Sequence, residues 1–90
     1  MLHIDIETRS DADLAKLGVH RYSEDPSFSI LLFAFAYDDG PIEVVDLAQG
    51  ERIPESVALD LFSPDVIKAA FNAQFERVCL DRYFNGHTGP

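Results

Sequence analysis

The sequence predicts an α/β domain built on a mixed sheet, and three observations carry that prediction. The opening segment alternates at strand period. Two apolar runs are joined by an Asp-Gly turn, and strand-like and helix-like segments then alternate to the end. The order is β, short α, β-hairpin, α, β, α, and a hairpin beside a strand–helix–strand unit implies a mixed sheet flanked by helices.

The first strand spans Leu2 to Glu7, with Leu2, Ile4 and Ile6 on one side and His3, Asp5 and Glu7 on the other. "SDADLAKLG" then predicts a short helix with Ser10 as N-cap, Asp11 and Asp13 in the first turn, Lys16 in the last and Gly18 at the stop. "HRYSEDPS" is a turn-rich connection. "FSILLFAFAY" and "PIEVVDL" are two strands joined by Asp38-Asp39-Gly40, a strong hairpin signal. Gln49 to Pro54 form a polar link. In "ESVALDLF" the residues Val57, Ala58, Leu61 and Phe62 recur at helical spacing, and Ser63-Pro64-Asp65 ends that helix. "VIKAAF", Val66 to Phe71, reads as a buried strand. From Asn72, an N-cap, the pattern is helical: Phe75, Val78, Cys79 and Tyr83 share a face, and Arg77 can pair with Asp81.

Ninety residues make at most one domain, and 47% hydrophobic content marks it as globular. Sixteen acids against seven Lys plus Arg give a net charge of −9, with no run of three basic residues. A nucleic-acid surface built on clustered cations is therefore excluded; contact with DNA would need divalent metal or further protein. The single Cys79 excludes an internal disulfide and fits a reducing cytoplasm. The longest apolar run, Ile30 to Tyr37, is eight residues, too short for a membrane span. The glycine-rich end after a helix leaves a four-strand sheet that looks unfinished, so a part of a longer protein is expected.

Chemistry centres on the acids. Asp5 and Glu7, two residues apart on one strand face, place their Cβ atoms about 6.5 Å apart. Two like charges so close are costly unless solvated, protonated or matched by a cation. Hard oxygen donors suit Mg²⁺ or Mn²⁺, and a solvated strand face is the alternative. "FNAQFER" sets Asn72 at the helix start and Glu76 one turn in, directly after a buried Phe75. If the last strand lies parallel to the first, Glu76 hangs over the end of the strand that carries Asp5 and Glu7. Asn72 is equally readable as a helix cap or as a substrate-side polar group. His3 shares the acidic face, where it could approach a metal or hydrogen-bond a neighbouring acid; His20 and His87 lie in predicted loops and have no ligand spacing.

"DIET" at Asp5 to Thr8 and "NAQFE" at Asn72 to Glu76 resemble the first and second motifs of the DnaQ-like (DEDD) 3′→5′ exonucleases on the ribonuclease H-like fold. With "RYSEDPSF" and "AFNAQFERVCL", the chain is most similar to proofreading domains at the front of phage-type family A DNA polymerases. The resemblance implies antiparallel strands 1 to 3, a fourth strand parallel to the first, and flanking helices, here incomplete. It also implies two divalent cations, Mg²⁺ or Mn²⁺, about 3.5 to 4 Å apart. Asp5 would bridge both, Glu7 would bind one and orient the water, and Glu76 would position the other. Thr8 and Phe75 would line the approach of the terminal nucleotide, with Asn72 beside them. The partners implied are a DNA 3′ end and a polymerase domain in cis.

Two departures narrow this reading. The second motif normally ends in Asp, and Glu76 adds a methylene. The third motif, Tyr or His followed four residues later by Asp, is missing: Tyr22, Tyr37 and Tyr83 lead to Pro26, Pro41 and His87, while His3 and His20 lead to Glu7 and Glu24. The expectation is a domain over 1–90 with two of three motifs and no nuclease activity as an isolated chain. An uncapped sheet edge implies self-association. The competing readings are a non-catalytic acidic module, mimicking DNA phosphates or binding a basic partner, and a plain scaffold within a polymerase.

Overall fold

Alternation along the first strand decides which way the sheet faces. In the computed structural model, which describes residues 1–70 and 72–85, β1 (Leu2–Arg9) buries Leu2 and Ile6 and exposes His3, Asp5, Glu7 and Arg9. Its antiparallel neighbour β2 (Ser29–Tyr37) sets Phe35 opposite Ile4 and Phe33 opposite Ile6, so the large rings join the aliphatic side. β3 (Glu43–Asp46) adds Val45 opposite Phe33, and β4 (Lys68–Ala70) runs parallel to β1 with Ala70 opposite Ile4. The strand order is β3-β2-β1-β4, the mixed sheet expected, with β1 central.

The core forms on the Leu2 side, where Leu2, Ile6, Phe33 and Phe35 meet Val57, Cys79 and Leu80. Val57 comes from α2 (Glu55–Phe62); Cys79 and Leu80 come from α3 (Ala73–Asn85). α2 and the Asp38-Asp39-Gly40 hairpin stand where the sequence puts them. Asp38 takes the left-handed conformation the turn needs, at φ 49°, and its carboxylate pairs with the chain's amino terminus. At the start of α3, Asn72 caps the helix: its side-chain oxygen accepts from the Phe75 N–H at 3.3 Å.

The first helix departs from expectation. α1 (Leu14–Glu24) is capped by Asp13, whose side chain accepts from Lys16 N–H at 3.2 Å, and not by Ser10. β1 continues to Arg9, and the Ser10 hydroxyl donates to the Tyr22 carbonyl at 2.8 Å while accepting from Ala12 N–H. Nor does the helix stop at Gly18. Its backbone breaks there, at φ 82° and ψ 168°, and resumes through "VHRYSE" to Glu24, so His20 is an exposed helical residue. Packing against α3 overrides the turn-rich composition: Ser23 is buried and its carbonyl accepts from Arg82 Nε at 3.0 Å. The turn that follows is built by Asp25, whose carboxylate accepts from the Ser27 N–H and hydroxyl at 2.9 and 2.6 Å.

β4 is shorter than the predicted Val66–Phe71. Val66 is taken up by a turn in which its N–H donates to the Ser63 carbonyl, Ile67 is exposed, and Phe71 lies outside the described residues. The expected Arg77–Asp81 ion pair is absent among the described residues; both side chains instead border a cavity with Leu61, Phe62 and Lys68, between α2, β4 and α3. Among the described residues no helix is long and apolar enough to cross a membrane.

Candidate functional site

Asp5 and Glu7 share the exposed side of the central strand, as the alternation requires. Their partners across β2 are Ala34 and Leu32, and His3 lies between Ala36 of β2 and Ala69 of β4. Ala34, Ala36 and Ala69 leave the stretch around His3 and Asp5 uncrowded. His3, Asp5, Ala34, Ala36 and Ile42 line a shallow hollow there. Beyond Glu7 the pairing shifts: Glu7 faces Leu32 but Thr8 faces Ile30, a bulge that re-aims the end of β1.

Glu76 comes from the first turn of α3, on the side of the sheet where the core lies. It is 4% exposed, and its Oε2 is buried with no hydrogen-bond partner among the described residues. Burial pushes its carboxyl above the usual range, a hydrogen bond from the Asn72 backbone pulls against this, and the charge of Asp5 adds to the rise. Buried one turn along, Cys79 has its thiol pushed up to about 12 by burial and then by Glu76. The helix is therefore rotated from its expected setting: Glu76, Cys79 and Leu80 face inward, and Phe75 is half-buried rather than buried.

The structure thus brings Asp5 and Glu7 onto one face and sets Glu76 within electrostatic reach of Asp5. It does not gather the three as a ligand set: among the described residues no group of three His, Cys, Asp or Glu side chains could hold a metal ion. Asn72 is exposed and acts as a cap. His3 is exposed, and His87 lies outside the described residues.

Thr8 and Phe75 meet through Tyr22, to which the sequence assigns no place in the site. The Tyr22 hydroxyl lies 2.8 Å from Thr8 Oγ1, and its ring packs 5.9 Å from Phe75 and 5.8 Å from Phe28. Tyr22 sits in "HRYSEDPS", read as a connection. The signal was present in the helical spacing of Val19, Tyr22 and Ser23.

Over 84 residues, 93% of its length, the chain is 55% identical to a DNA polymerase of Bacillus phage SP02. It spans 13% of that protein. No family model matches the chain, and no solved structure matches it.

Proposed function

We propose that the chain is the leading part of a 3′→5′ exonuclease domain within a DNA polymerase, where it contributes Asp5, Glu7 and Glu76 to a two-metal centre. The similarity to the phage SP02 polymerase supports the polymerase context. The observation that carries the site is the buried Glu76 Oε2, which has no hydrogen-bond partner among the described residues and lies within reach of the Asp5 charge. A buried carboxyl with an unsatisfied oxygen in the field of a second acid is chemically suited to a hard divalent cation. Asp5, Glu7 and Glu76, which the described residues alone do not gather into a ligand set, would hold Mg²⁺ or Mn²⁺ together with groups of the longer polypeptide; when bound, such ions activate water and stabilise the departing 3′ oxygen.

The chain's own residues supply the rest. Thr8 and Phe75, joined through Tyr22, would offer one hydroxyl and one ring, suited to a sugar or phosphate oxygen and to a base. Asn72 fixes the start of α3 and with it the direction of Glu76. The general base and last acid of the third motif have no counterpart in these residues, so hydrolysis requires the longer polypeptide.

Calorimetric titration of the chain with Mn²⁺ tests the site: binding that disappears in Asp5→Asn is expected. No binding in the parent sequence would replace this reading with the acidic partner-binding module. In the polymerase-length protein, Mg²⁺- or Mn²⁺-dependent release of 3′ mononucleotides should be lost in Asp5→Ala. Release that survives the substitution overturns the assignment.

A further inference from the structure

Three ties converge on Tyr22. Its hydroxyl meets Thr8 at the end of β1, its ring packs on Phe75 at the start of α3, and its carbonyl accepts from the Ser10 hydroxyl at 2.8 Å. The same junction is clasped a turn further on, where Arg9 Nη1 donates to the Ser27 carbonyl at 2.9 Å and Asp11 N–H donates to the Ser27 hydroxyl at 2.6 Å. Packing alone would need only the ring of Tyr22. The phenol adds a half-buried hydroxyl matched to another, and two hydroxyls 2.8 Å apart share one hydrogen bond between two protons. When Tyr22 donates, the Thr8 proton is left for an outside acceptor.

We infer that Tyr22 is a positioning residue for nucleotide binding: it donates to Thr8 Oγ1, turns the Thr8 proton toward an oxygen of the terminal nucleotide, and braces the Phe75 ring. The bulge between Glu7 and Thr8 shifts the register just before Thr8, which pairs with Ile30, and the Tyr22 hydroxyl adds a side-chain tie at that irregular point of the strand. The inference rests on the exonuclease reading of the site and assigns it a substrate-side support on a third element, α1.

The test is a double-mutant cycle in the 90-residue chain with Mn²⁺ and thymidine 5′-monophosphate as probes. Tyr22→Phe keeps the ring and should leave Mn²⁺ binding unchanged while weakening the nucleotide about fivefold, the worth of one hydrogen bond. Thr8→Val should cost the same, and the double variant no more than either, since both remove one interaction. Unchanged nucleotide affinity in Tyr22→Phe, or losses that add, overturns the inference. Asp5→Asn separates the two readings, because it tests the metal site without touching Tyr22. If the parent chain binds neither probe, the site reading fails by itself and the Thr8 side-chain couplings decide on Tyr22. One fixed Thr8 rotamer that becomes averaged in Tyr22→Phe supports the positioning role. A rotamer fixed in both overturns it.

Discussion

Glu76 sits at 4% exposure in a small domain, with one carboxylate oxygen unpartnered among the described residues, and so weakens the fold that carries it. Because its carboxyl is raised above the ordinary 4.5, the folded chain holds that proton more tightly than the unfolded chain. Its contribution to stability is therefore most favourable below about pH 4.5 and is lost as pH rises through the folded value. Glu76→Gln removes this slope. The variant should melt about 4 °C above the parent at pH 7, roughly 1 kcal/mol, with the gap closing near pH 4. Paired thermal denaturation across that range checks it, and a gap independent of pH would show that the charge is not the cause. In the sequence, Asp5 and Glu7 were legible as a pair because strand alternation is local. The burial of Glu76 was not, because it depends on how α3 is rotated against Leu2 and Ile6.

At the scale of elements, α1 shows how a local signal can be right about a residue and wrong about its effect. Gly18 signals a helix stop in the sequence, and its backbone does leave helical geometry, at φ 82° and ψ 168°. The chain nevertheless returns to helix, since Val19 and Ser23 pack inward and Arg82 of α3 ties down the Ser23 carbonyl. That conformation is nearly confined to glycine, although a Cβ there would meet no atom within 4 Å. Gly18→Ala should therefore cost about 1–3 kcal/mol through backbone strain alone. The measurement is the urea midpoint, which should fall with the slope unchanged; a stabilised variant would mean that α1 prefers to run straight. The hairpin and α2 were legible because turn residues and apolar spacing point the same way in each. β4 came out shorter because the Ser63–Val66 turn claims its first residue.

For the whole molecule, the sheet order leaves the outer edges of β3 and β4 unpaired among the described residues. Beside the β3 edge, Val44 is 57% and Ile42 75% exposed, so hydrogen-bonding groups and apolar surface coincide. Concentration-dependent self-association of the 90-residue chain is expected in sedimentation velocity. Val44→Lys should shift it toward monomer, and a strictly monomeric parent would show that the edge is protected. The net charge of −9 opposes this association, so added salt should strengthen it.

By itself the sequence determined the α/β class, the hairpin, the capped third helix and the placement of Asp5 and Glu7 on one face. Each of these follows from side chains a few residues apart, through alternation, turn chemistry or capping. Only the tertiary structure decided that Ser10 ties down α1 instead of capping it, that Glu76 is buried near the charge of Asp5, and that Tyr22 joins Thr8 to Phe75. Those arrangements depend on elements distant in sequence being pressed onto the same side of β1, where burial and contact arise from packing that no local spacing encodes.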